Sequence, residues 1–134
     1  MVTETVVKEA LSKEMIAAGL NLTRRLDEAG FIVSASMWFF NVDSSSWRYI
    51  IASPQVDSSG IKDAYKKVQD TLATLSNSEE SISLRDITLI SPNDPLIKLL
   101  KIGMKTGNGV SGIRFSRSLI NGVPIEDAYV YRLN

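Results

Sequence analysis

The sequence predicts an α+β domain with the element order α-β-β-α-β-α-β-β, a mixed sheet of about five strands, and helices mainly on one face. Three observations predict it. The spacing of apolar residues changes from a helical one to strict alternation at Phe31, and an Asn121-Gly122 pair separates two strand-like runs near the C-terminus. The length of 134 residues, with 44% hydrophobic and 22% charged residues, suits one domain, residues 1–134, with one core.

The first element is read over residues 3–29. Val7, Leu11, Met15, Ala18, Leu22, Leu26 and Ala29 recur in steps of three and four and lay an apolar stripe along a helix. Gly30 stops it, because glycine enters the left-handed conformation at little cost. Gly19 interrupts the stripe at a cost of roughly 1 kcal/mol relative to alanine, so a bend or a close approach is expected there. Over residues 31–40 the period is two. Phe31, Val33, Ala35, Met37 and Phe39 share one face, and Ile32, Ser34, Ser36, Trp38 and Phe40 the other. The polar run 41–46 turns the chain, and residues 47–53 return as the second strand of a hairpin.

Pro54 ends that strand, and residues 57–60 offer helix-start chemistry ahead of Ile61, Ala64, Tyr65, Val68, Leu72 and Leu75. Residues 77–83 are the most polar stretch and read as a loop. A short strand at 86–91 precedes Asn93-Asp94-Pro95, which opens a third helix with Leu96, Leu99, Leu100 and the Gly103-Met104 pair facing inward. Ile113–Ile120 and Val123–Leu133 then form a hairpin on a type I′ turn. That turn fixes the register: Ile120 opposes Val123, Arg117 opposes Glu126, Ser116 opposes Asp127, and Arg114 opposes Tyr129. Pro124 falls at a non-hydrogen-bonded pair, where its missing N–H is harmless.

Composition removes whole classes of chemistry. With no histidine and no cysteine there is no thiolate nucleophile, disulfide, Ser-His-Asp triad, zinc finger or imidazole base. Fifteen basic residues balance fifteen acidic ones, and the only adjacent basic pairs are Arg24-Arg25 and Lys66-Lys67, so nucleic acid is not an expected partner. Charges at Glu4, Lys8, Glu9, Lys13 and Glu14 break the first twenty residues, so no membrane segment is expected and the cytoplasm is the default compartment.

Three groups of residues invite a functional reading. Gly107-Asn108-Gly109-Val110-Ser111-Gly112, preceded by Lys105-Thr106, spells a glycine-rich phosphate loop, but a phosphate cradle needs a helix after the glycines and here a strand follows. The stronger expectation is that the glycines end the third helix; the weaker is an anion-binding loop at Lys105, Thr106, Gly107, Asn108 and Gly109. Asp57, Asp86, Glu126 and Asp127 are the carboxylates at or near strands. Asp57 and Asp127 with Lys105 could support a Mg²⁺-dependent phosphoryl-transfer or phosphodiester-cleaving enzyme if they converge, but structural pairing of Asp127 and Glu126 across the hairpin is favoured.

The third group is a sheet face with aromatic and polar character: Ser36, Trp38, Arg114, Asp127, Tyr129 and Tyr131. It is read in three ways, as a face covered by a helix with polar residues at the rim, as a self-association surface, or as a small-ligand site. The favoured function is a small non-catalytic binding or interaction domain, a homo-oligomer or protein-bound module, with no cofactor and no metal. The enzyme is the alternative.

Overall fold

In the computed structural model, which describes residues 10–75 and 82–134, helix α1 spans Lys13–Glu28. It starts where Ser12 accepts a hydrogen bond from the Met15 amide at 3.1 Å, so residues 10–12 of the expected helix lie outside it. Residues 3–9 fall outside the described residues. At the other end Gly30 is left-handed (φ 78°), and the Gly30 and Phe31 amides donate to the Asp27 and Leu26 carbonyls, closing the helix as a Schellman motif.

Strand β1 (Ala35–Asn41) pairs antiparallel with β2 (Ser46–Ala52), giving the expected hairpin. It is shorter than the alternation suggests. Phe31 and Val33 are in the core but only isolated backbone bonds, such as Ser34 N–H to the Ala52 carbonyl at 2.8 Å, tie this entry segment to the sheet. A one-turn helix α2 (Gln55–Ser58), which the sequence did not announce, precedes α3 (Ile61–Ala73). Gly60, at φ 86°, rather than an Asp or Ser side chain, makes the entry to α3. A 3₁₀ turn at Leu84–Asp86 leads into β3 (Ile87–Ile90), which pairs parallel with β2. Helix α4 (Pro95–Gly103) starts on an Asp94 cap with Pro95 in its first turn.

The chain then crosses to the opposite sheet edge, where β4 (Ile113–Ile120) and β5 (Val123–Leu133) complete the order β3-β2-β1-β5-β4. The hairpin turn has Asn121 and Gly122 at φ 50° and 78°, and its register is the one the turn predicts. Arg117, at φ 47°, kinks β4 without shifting that register.

The sheet separates two apolar clusters. One gathers Leu22 and Leu26 of α1 and Ala64 and Val68 of α3 with Trp38, Phe40, Trp47, Tyr49, Ile51 and Tyr131. The other joins Ile97 and Leu100 of α4 to Ala35, Met37, Ile50, Ile125, Ala128, Val130 and Leu133. Helices α1 and α3 therefore share one face and α4 holds the other, which is why both faces of β1 carry apolar residues. A bulge opposite Ser36 and Met37 places Tyr131 as an extra residue of β5. Both Tyr131 and Arg132 consequently reach α1.

Candidate functional site

Most of the aromatic-polar face is occupied by α1. The Trp38 indole N–H donates to the Met15 carbonyl at 2.8 Å, the Tyr131 hydroxyl to Ile16 at 2.6 Å, and the Tyr49 hydroxyl to Gly19 at 2.8 Å. Thr23 on the same helix bonds the Ser36 hydroxyl at 3.0 Å and the Tyr49 hydroxyl at 2.6 Å. Gly19 is required by this approach: a Cβ there would lie 2.6 Å from Cζ of Tyr131. Trp38, Tyr131 and Ser36 are buried at 4%, 1% and 0% exposure. As an exposed surface, this half of the expected site is corrected: the aromatic donors are aimed at the carbonyls of the protein's own helix, and burial of their rings holds the helix down.

The tyrosines bear the electrostatic mark of that burial. Desolvation pushes the Tyr49 and Tyr131 hydroxyls well above the usual value near 10, although hydrogen bonds from Thr23 and Ser36 pull Tyr49 back part of the way. Neither is poised to lose a proton near neutrality.

The remaining half of the face lies at the rim. Asp127 is 1% exposed and accepts two bonds at 2.7 Å from Nε and Nη2 of Arg114, with Ser116 Oγ at 3.2 Å. This fork-to-fork pairing raises the Arg114 pKa further, and the guanidinium lies 5.8 Å from the centre of the Trp47 ring. Tyr129 is half-buried beside Tyr131, their centroids 5.2 Å apart. The structure thus brings Arg114, Ser116, Asp127 and Tyr129 together at the uncovered margin, and leaves Ser36, Trp38 and Tyr131 beneath α1.

The glycine-rich loop is stitched to the end of β5. Thr106 N–H donates to the Leu133 carbonyl and Thr106 Oγ1 accepts from the Leu133 amide, both at 2.8 Å. The Gly109 carbonyl accepts from Arg132 Nε at 3.2 Å, Ser111 N–H donates to Tyr131, and Asn108 bonds Asn134. The loop follows α4 and feeds β4, so its glycines do not lead into a helix N-terminus. Thr106 and Asn108 are engaged internally and Lys105 projects into solvent, which leaves the anion-binding reading of Lys105 to Gly109 without the geometry it needs.

The carboxylate pair expected of a Mg²⁺ enzyme does not assemble. Asp57 sits on α2 and accepts from Ser91 Oγ, just past β3, at 2.7 Å. Asp127 is on β5, three strand positions away, or about 14 Å at the usual spacing. Among the described residues no group of three or more acids could hold a metal ion. Comparison with protein-family models, curated proteins and solved structures finds no match for the chain.

Two clusters escaped the sequence reading. Arg132, 5% exposed, grips Asp27 of α1 through bonds of 2.9 and 2.8 Å and also bonds the Val33 carbonyl at 3.2 Å. Strict alternation hides it, because the bulge that turns Arg132 toward α1 leaves no mark in the spacing. Arg48 of β2 likewise spans to Thr88, Arg85 and Ile87.

The exposed apolar residues fall unevenly. Leu119 is 74% exposed, and Ile113 and Val123 stand on the same hairpin, with Ile102 on α4 close by through the packing of Gly103 on Ile120. Ile120 and Val123 flank the turn and form a hydrogen-bonded pair, so the main chain of the next residue, Leu119, faces away from β5. Among the described residues no helix is long and apolar enough to cross a membrane.

Proposed function

We propose that the protein is a non-catalytic interaction domain that works in the cytoplasm, as a homodimer or bound to a protein partner, through the outer side of the β4–β5 hairpin. The observation that carries this reading is a contrast in how polar groups are used. On the sheet, Asp127, Ser36, Tyr49, Tyr131 and Arg132 are all taken up by internal hydrogen bonds, and no buried side-chain polar atom among the described residues lacks a partner. A catalytic carboxylate or hydroxyl needs a free approach, and none of these has one. The outer side of the hairpin is different: among the described residues β4 is an edge strand with no neighbour beyond it, the main chain of Leu119 faces out there, and Leu119, Ile113 and Val123 are exposed on the hairpin.

Light scattering on size-exclusion fractions across a concentration series tests the homodimer. Wild-type protein is expected at twice the chain mass, and Leu119→Lys, which adds a cation at an exposed position, at the chain mass with unchanged thermal stability. A wild-type chain that stays monomeric throughout the series removes the homodimer. A dimer indifferent to Leu119→Lys moves the interface away from the hairpin.

A further inference from the structure

The two edges of the sheet are treated differently. Strand β3 faces β2 through Thr88 and Ile90, as shown by the Ser53 amide donating to the Ile90 carbonyl at 3.1 Å, so the main chain of Ile87 and Leu89 points outward. An edge of this kind would ordinarily invite another strand. Here the amide and carbonyl of Ile87 and the amide of Leu89 are occupied. Ile87 N–H donates to the Leu84 carbonyl of the 3₁₀ turn. The Tyr65 hydroxyl, reaching over from α3, donates to the Ile87 carbonyl at 3.3 Å and accepts from the Leu89 amide at 3.2 Å. Arg48 Nη2 adds a second bond to the Ile87 carbonyl at 3.2 Å.

We propose that Tyr65 is a built-in guard of the β3 edge: its one hydroxyl fills the carbonyl and amide positions that a strand from a second copy of this chain would need, and so bars strand addition there. A hydroxyl is suited to the task because it donates and accepts at once, as the alternating groups of a strand do. Its ring, partly buried against the α1–α3 core cluster, is held in place by packing, not only by the two bonds. The four residues of β3 give an incoming strand few other groups to use. The guard is independent of whether β4 binds a partner.

Tyr65→Phe removes the hydroxyl alone and is the variant to test, in the full chain. Hydrogen exchange followed residue by residue is expected to show the Leu89 amide exchanging about tenfold faster than in wild type, the effect of losing one hydrogen bond. Light scattering is expected to show assemblies that grow with concentration beyond the wild-type mass. Arg48→Ala provides the comparison, since it also removes a donor to the Ile87 carbonyl but leaves the Leu89 amide capped; it is expected to keep the wild-type assembly state. The proposal is overturned if Tyr65→Phe keeps the wild-type mass across the concentration series, whether or not the Leu89 amide exchanges faster. It is equally overturned if Arg48→Ala assembles as readily as Tyr65→Phe, because loss of stability would then account for both. Wild-type mass bears only on the hairpin interface, so the two readings fail separately.

Discussion

Replacing Gly19 with alanine sets two effects of opposite sign against each other. In an isolated helix the change is favourable by about 1 kcal/mol, because glycine loses more backbone freedom on becoming helical. In the folded protein the new methyl would stand 2.6 Å from Cζ and 2.7 Å from Cε2 of Tyr131, far inside an ordinary carbon–carbon contact. Tyr131 cannot swing aside: it is buried between Tyr49 and Tyr129 and its hydroxyl is bonded to Ile16. Relief must come from lifting α1, which stretches the Tyr131–Ile16 and Tyr49–Gly19 bonds at about 1 kcal/mol each and adds overpacking strain of about 1–3 kcal/mol. The net expectation for Gly19→Ala is a destabilisation of about 2–4 kcal/mol. Urea unfolding followed by tryptophan fluorescence should show a lower midpoint at unchanged slope. In a Tyr131→Phe background, which removes the nearest obstructing atom, the penalty should shrink. A Gly19→Ala protein as stable as wild type, or more so, would refute the close-approach account of this glycine.

The other expectations concern charge, pH and metal. Arg114→Ala leaves the buried Asp127 carboxylate without its two-pronged partner, and a loss of about 2–3 kcal/mol is expected, below the value for a wholly buried pair because Arg114 is half exposed; a change under about 0.5 kcal/mol in urea titration would contradict it. Tyr49 and Tyr131 ionise only above the value near 10 that they have when unfolded, so at higher pH the native chain holds more protons than the unfolded one. Stability should therefore be full below about pH 10 and fall above it by about 1.4 kcal/mol per pH unit for Tyr49, with Tyr131 adding to the fall. Tyrosinate absorbance showing all four tyrosines ionising near pH 10 in a folded chain would contradict this. Millimolar Mg²⁺ should leave the melting temperature where it is, and a rise of several degrees would reinstate a metal site.

Local chemistry was legible and side-chain destinations were not. The Asn121-Gly122 turn specified the whole register of its hairpin, because a two-residue loop with both central residues at positive φ leaves no freedom in the pairing. The Gly30 stop and the Asp94-Pro95 start were equally plain, each depending on one residue's backbone requirement. Strand entry at Ala35 was harder, since residues 31–34 alternate like a strand yet meet no continuous neighbour. The candidate site shows the same division. Asp127 with Arg114 and Ser116 follows from register alone, whereas the burial of Trp38 and Tyr131 depends on where α1 settles. Periodicity ranks residues by face and is silent about which helix covers that face.

The position of β5 bears on the timing of synthesis. It is the last strand to be made, yet it lies inside the sheet between β1 and β4, and from it Tyr131 and Arg132 reach back to Ile16 and Asp27, more than a hundred residues earlier. Until β5 has been made, β1 has one neighbour instead of two and α1 lacks two of its anchors. The β1–β2–α3–β3 portion can form early, but the sheet closes only once β5 is available, and a chain truncated shortly before Val123 would have its aromatic face and the β1 edge both open to aggregation.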